Sequence, residues 1–295
     1  IDSAFQAVQL SRDTVDTGAV IVTGEAARRD NARRIAELFS DRAGQFVCAT
    51  AGPRLETILA ANGSGAVFQS REEALTLLNV DLGGGTTKIS LIEKGRIHGV
   101  CALNIGARLI SFDGGTSLVR LEKAGDRFLQ DLGYRMTVGD RIDENVMDRL
   151  AARMAEVLFG VLDGEAAPWE ELFVIPPFPR APELDGIVFS GGVSEYIYGR
   201  ESGLFGDLGP RLGNEVRSQA EKRGYRILES TEGIRATVIG AGIIILSGLY
   251  IVFREARLGS KSQAPVLRTR SRGATAASFR ISPFLRRSRS QEPAE

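Results

Sequence analysis

The stretch NVDLGGGTTKISLIEKGRI, Asn79 to Ile97, constrains the fold of this chain more than any other. An apolar, strand-like lead-in runs into three consecutive glycines, then two threonines and a second apolar run. With EKG at 93–95 and the apolar run that follows, the pattern predicts three antiparallel strands joined by two tight turns. Glycines at such a turn leave backbone amides bare, so Gly83, Gly84 and Gly85 can cradle anionic oxygens, with the Thr86 and Thr87 hydroxyls beside them. Asp81, just before the turn, is placed to hold a hydrated Mg²⁺ through its water shell. The plainer alternative is a turn that only turns. The dinucleotide fingerprint needs Gly-x-Gly-x-x-Gly between strand and helix, and the Walker loop needs Gly-Lys-Ser/Thr, so neither is present here.

The flanking sequence reads as α/β. A strand over 19–23 leads into a helical pattern, a second buried strand lies in QFVCATAG, and PRLETILAANGSG starts a helix at a proline and breaks at 62–65. Downstream, Val146, Leu150, Met154, Val157 and Leu158 fall on one face of a long helix. DGIVFSGGVSE, residues 185–195, is a buried strand ending in Ser190, Gly191, Gly192 and Val193, where paired glycines let a flat base or ribose lie against the chain. IRATVIGAG, near 234–242, opens a helix with small residues suited to close packing.

Charge is unevenly spread. Residues 254–295 carry ten basic and three acidic groups, which leaves 27 basic and 34 acidic before them. The mildly acidic body argues against a nucleic-acid surface. The tail from about 259 is Ser/Arg-rich with little apolar periodicity and is expected to be disordered. Two cysteines, Cys48 and Cys101, lie far apart without a Cys-x-x-Cys pattern, which argues against a disulfide framework or a zinc site. The apolar run 238–253 is shorter than the ~20 residues that a membrane span needs, and is expected to be a buried helix end followed by a strand. His98 and Trp169 are expected to be structural.

The hairpin and the later strand ending in Gly-Gly, in this order and about one hundred residues apart, resemble the actin, sugar-kinase and heat-shock-chaperone ATPase superfamily. GPRLETILA and IRATVIGAG are similar to its two interlobe helices. Within it, VDTGAVIVTGEAARRDNA, AGPRLETILAANGSGA, VDLGGGTTKISL, LNIGARLISFD and FSGGVSEYIYG resemble the EutA family of ethanolamine utilization, reactivating factors of ethanolamine ammonia-lyase, over about residues 1–242. The resemblance implies an actin-like α/β fold of two lobes flanked by helices: 1–75 the remainder of an incomplete first lobe, 76–232 the second lobe, 233–258 a connecting helix and return, and 259–295 the tail. It implies ATP and Mg²⁺ as ligands, with Gly83–Gly85, Thr86 and Thr87 on phosphates and 190–193 against adenosine. It also implies a weak ATPase working as a chaperone on the lyase, releasing damaged cobalamin in the cytoplasm or at a bacterial microcompartment, with no nucleic acid or membrane as partner and the oligomeric state left open.

Family members carry an earlier Asp-x-Gly-Thr-like hairpin, and none is seen here, so the first half of the phosphate clamp is expected to be missing. VTGEAA resembles a segment that supplies a water-orienting glutamate in some phosphatases of the superfamily, which makes Glu25 a candidate general base and, alternatively, a helix-capping acid. A filament or scaffold protein of the same fold, or a small-molecule kinase, are the alternative functions.

Overall fold

The computed structural model describes residues 6, 9, 18–22, 46–50, 52–165, 167–179 and 183–244. Strand β1 (Gly18–Val22) pairs in parallel with β2 (Phe46–Thr50), with Gly18 opposite Phe46 and Val22 opposite Thr50. Helix α1 (Pro53–Gly63) follows, starting at the proline, whose missing N–H costs nothing in a first turn. A second helix, α2 (Ala66–Glu72), follows the predicted break at 62–65, where the sequence pattern indicates no helix. The break is real but lasts two residues: Gly65 takes a left-handed φ of 84°, and the chain re-enters a helix at once.

The predicted three-stranded meander is present as β3 (Thr76–Leu82), β4 (Thr87–Glu93) and β5 (Arg96–Leu103). After a hairpin of β6 (Ile110–Phe112) and β7 (Leu118–Leu121) come α3 (Lys123–Asp131) and α4 (Glu144–Leu162). Strand β8 (Phe173–Ile175) covers the edge of β5, and β9 (Gly186–Ser190) inserts parallel to β3 on the other side. Short α5 (Ser194–Ile197), α6 (Gly209–Lys222) and β10 (Ile227–Leu228) complete a six-stranded mixed sheet of order β10-β9-β3-β4-β5-β8. Residues 236–244 are helical.

Both faces of the central strands are covered, which is why β3 reads as an apolar run rather than an alternation. Leu78, Val80 and Leu82 join Ile89, Cys101, Leu103, Ile187 and Phe189 in the main core with α4 and α6. The stripe predicted on α4 lies in that core: Val146, Leu150, Met154, Val157 and Leu158 are all buried, each contributing about 1.5–3 kcal/mol of hydrophobic stabilisation. Asp143 caps this helix, its carboxylate accepting from Val146 N at 3.0 Å. Trp169 anchors its loop as expected, stacked on Phe128 with ring centroids 5.3 Å apart and flanked by the Arg127 and Arg153 guanidinium groups.

The opposite face of the sheet is divided. Leu77, Ile92 and Val188 pack against Ala61 and Ala66. Along the same strands, Asn79, Asp81, Ser90 and Ser190 are buried and polar. Alternation fixes this placement: Asn79 and Asp81 follow Leu77 at steps of two, and the ladder sets Ser90 opposite Asn79, Lys88 opposite Asp81 and Ser190 beside Asp81. The sheet therefore carries its charged groups at the end where β3 and β9 stop.

Candidate functional site: the glycine hairpin and the end of β9

Residues 83–86 link β3 to β4, and one of their amides closes the turn while three have no protein acceptor among the described residues. Gly83 N donates to Thr86 O at 3.0 Å and closes the turn, so it is not available to an anion. Among the described residues, the amides of Gly84, Gly85 and Thr86 donate to no protein acceptor. The hairpin is held from behind by 106–108: Ala107 N donates to Gly83 O at 3.2 Å and Arg108 N to Gly84 O at 2.6 Å. Gly106 makes this approach feasible, because a Cβ there would lie 2.5 Å from Gly84 O. Thr87 does not offer its hydroxyl outward. It is buried and donates to Ile105 O at 2.8 Å, tying β4 to the chain beyond β5.

Asp81 is 4% exposed and both of its carboxylate oxygens are engaged. Ser190 Oγ donates to Oδ1 at 2.9 Å, and Lys88 Nζ lies 3.3 Å from Oδ2. The same ammonium lies 3.3 Å from Glu56 Oε2 on α1. Burial works to lower the Lys88 pKa, but attraction to Asp81 and then Glu56 outweighs it, and the pKa is raised, so the group stays charged. Behind Ser190, Asn79 Nδ2 reaches its Oγ at 3.4 Å, while Asn79 Oδ1 is buried without a hydrogen-bond partner among the described residues.

The turn after β9 meets the hairpin directly. Gly191 adopts a left-handed φ of 85° and sits so close to Leu82 that a side chain would overlap its carbonyl. Gly191 N donates to Gly233 O at 3.1 Å and Val193 N to Leu82 O at 3.2 Å, whereas Gly192 N has no protein acceptor among the described residues. The Val193 side chain is 2% exposed and belongs to the main core, so Val193 shapes this corner through its backbone and presents no side chain to a ligand. Ile234 is exposed beside Gly192, 3.9 Å from where a Cβ of that glycine would be.

Asp81, Ser190 and the 83–86 turn lie together at this end of the sheet. Glu25 and the Ser/Arg-rich tail lie outside the described residues, as does the part of the 238–253 run beyond 244; the helix end expected to be buried there instead exposes Val238, Ile239 and Ile243. Glu56 and Lys88 were not predicted. Lys88 was legible, since a turn pairing Leu82 with Thr87 puts it opposite Asp81. Glu56 depends on how α1 lies over the sheet. The donor set does not fit a divalent cation held by the chain alone: an ammonium already stands against Asp81, and the described residues contain no group of three or more His, Cys, Asp or Glu side chains arranged for a metal.

Three hairpin amides without a protein acceptor among the described residues, the buried Asp81 and the glycine turn after β9 lie together at one end of a mixed α/β sheet. The chain belongs to the EutA family: the model of "ethanolamine utilisation protein EutA" matches residues 1–291. The curated ethanolamine ammonia-lyase reactivase EutA of Salmonella typhimurium is 32% identical over 261 residues, covering 86% of this chain and 56% of that protein. The Escherichia coli reactivase is 33% identical over 248 residues, covering 82% and 53%. The chain therefore spans about half the length of these relatives. Solved structures are matched at lower similarity. Spiroplasma citri MreB 5 bound to AMPPNP is 12% identical with a TM-score of 0.45, covering 86% of this chain and 77% of that one. The activator of 2-hydroxyisocaproyl-CoA dehydratase from Clostridium difficile, with bound ADPNP, is 13% identical with a TM-score of 0.43, covering 90% and 84%.

Proposed function

We propose that this chain is the nucleotide-gripping part of an actin-like, ATP-dependent reactivating chaperone for ethanolamine ammonia-lyase. The observation that supports it most is the set of unpaired amides at Gly84, Gly85 and Thr86, held at fixed spacing by the backbone bonds from Ala107 and Arg108. Donors that need no rearrangement are what a polyanion such as a nucleotide phosphate chain requires. The Gly192 amide and the exposed Ile234 offer a polar and an apolar contact for the nucleoside end. Mg²⁺ enters only as the counter-ion of the nucleotide.

The lyase is proposed as the partner because two curated relatives, the Salmonella typhimurium and Escherichia coli reactivases, carry that activity in their names. In this reading, nucleotide state shifts the chain between conformations of different affinity for the lyase, and that difference drives release of a damaged cobalamin. No helix among the described residues is long and apolar enough to cross a membrane, and the proposed setting is the cytoplasm or a microcompartment within it.

The test is calorimetric titration of the chain with ATP, followed by gel filtration with ethanolamine ammonia-lyase carrying cyanocobalamin. Binding of ATP, and co-elution with the lyase that changes between ATP and ADP, are expected. Absence of ATP binding sinks the nucleotide reading, and ATP-dependent pelleting without lyase binding replaces the chaperone by a filament.

A further inference from the structure

Lys88 is a largely covered cation, its side chain 12% exposed, at the end of the sheet where β3 stops, and its place is set from three directions. The β3–β4 ladder puts it opposite Asp81, α1 lowers Glu56 onto it from above, and the neighbouring strand supplies Ser190 to the far oxygen of Asp81. Its Nζ is equidistant, at 3.3 Å, from one oxygen of each carboxylate, and the three side chains are 5–12% exposed. Two buried carboxylates facing one point repel each other unless a cation stands between them. Here the chain supplies that cation itself.

We propose that Lys88 is a positioning residue that acts as the resident cation of this site: its ammonium occupies the point between Asp81 and Glu56 where these carboxylates would otherwise draw in a divalent metal ion. The consequence is that the empty site does not take up free metal, and Asp81 and Glu56 are kept in place before any ligand arrives. The ammonium is the better choice for that purpose because its charge is tethered, so the arrangement does not vary with the metal content of the surroundings. The inference concerns the same site as the nucleotide reading and its test needs no nucleotide, so the two can fail separately.

The experiment is Mn²⁺ binding to the full chain without nucleotide, followed by electron paramagnetic resonance of the free ion. The wild-type chain is expected to show no saturable site. Lys88→Ala, which leaves both carboxylates facing an ammonium-sized gap, is expected to gain one saturable Mn²⁺ site and to gain thermal stability when Mn²⁺ is added. Lys88→Arg should exclude the ion as the wild type does, and Lys88→Ala with Glu56→Gln should lose the new site. Lys88→Gln gives a second neutral variant should the alanine chain not fold. A saturable Mn²⁺ site in the wild type, or none in a folded neutral variant, overturns the proposal. Failure of the wild-type chain to bind ATP would remove the nucleotide reading and leave this result standing.

Discussion

Gly106→Ala tests whether the hairpin amides are a preset anion site, because its effect reaches them through one contact. Gly106 has φ −177°, ordinary extended backbone, so an alanine adds no backbone strain. It adds a methyl that would lie 2.5 Å from Gly84 O, 2.6 Å from Gly84 C and 2.7 Å from Gly85 N. Ordinary contact begins at 3.4 Å, so the two segments must separate by about 0.9 Å, the difference between 3.4 and 2.5. All three clashing atoms are backbone, so no side chain can swing away. Overpacking of this kind costs about 1–3 kcal/mol. For a chain this size that lowers the melting midpoint by about 3–10 °C. The displaced amides are those that would meet phosphate, and losing one hydrogen bond to a charged group costs about 1.5–3 kcal/mol, so ATP should bind ~10–100-fold more weakly. Gly85→Ala supplies the contrast: a Cβ there meets nothing within 4 Å, so the melting midpoint should hold while the methyl crowds only a ligand. Differential scanning fluorimetry and ATP titration measure both variants. A folded Gly106→Ala chain with wild-type ATP affinity would refute the assignment of these amides to phosphate.

Ser190→Ala removes the hydroxyl that donates to Asp81 and should cost about 1.5–3 kcal/mol in urea unfolding, with Ser190→Thr recovering part of it. Trp169→Ala opens the stack on Phe128 and should cost about 3–5 kcal/mol while leaving the ATP titration unchanged, since the ring partners of the indole, Arg127, Phe128 and Arg153, belong to α3 and α4. Alkaline pH should destabilise the chain through one buried acid, Cys101, and one partly buried acid, Tyr198. Burial pushes the Cys101 thiol from 9.0 up to about 12, and burial likewise pushes the Tyr198 phenol, bonded to Leu228 O, from 10.0 up to about 12. Above the ordinary values the unfolded chain releases protons that the folded one retains, so stability falls as pH rises from 9 toward 12, by an amount on the order of 3 kcal/mol at pH 11. Lys88 adds to the loss above its ordinary 10.5. Thermal melts between pH 8 and 11 check this, and Cys101→Ala should delay the fall by about one pH unit.

Strands β3, β4, β5 and β9, the long helix and the glycine corners were legible because each rests on a local rule: apolar runs bounded by glycine, a 3.6-residue stripe, or a residue type that only a tight approach requires. The antiparallel order of the first three strands followed from their short turns. The insertion of β9 beside β3, parallel and more than one hundred residues later, was not predicted, since no local pattern announces a long-range pairing. Helix α2 was missed because a left-handed glycine can restart a helix as readily as end one. At the site, the amide directions were not legible. Counting glycines shows that backbone is bare, but which amide closes the turn is set by the Gly83–Thr86 bond and the strand ends behind it. Thr87 illustrates the same limit, as the pleat turns its hydroxyl inward to Ile105 while Thr86 stays at the surface of the turn.

The polar groups at the end of β3 also bear on how occupancy of the hairpin is felt elsewhere in the chain. Lys88 sits on β4, one strand step from the turn, and its ammonium holds Glu56 in the first turn of α1. Further along α1, Gly63 lies against the backbone of Ala236, and Gly240 against Leu59, so that α1 and the helical residues 236–244 touch backbone to backbone. Such contacts have no side chains to absorb a shift and transmit displacement rather than damp it. Ser90 Oγ adds a second tie, donating to Thr57 O at 3.3 Å from the same strand as Lys88. A ligand that draws Lys88 away from Glu56 therefore pulls on one end of a helix whose other end is locked to a second helix. Gly240→Ala would wedge that lock without touching the hairpin, and should uncouple ATP binding from any ATP-dependent change in α1, read as hydrogen exchange over 53–63. An α1 exchange pattern that still responds fully to ATP in this variant would show that the signal does not travel through the helix pair.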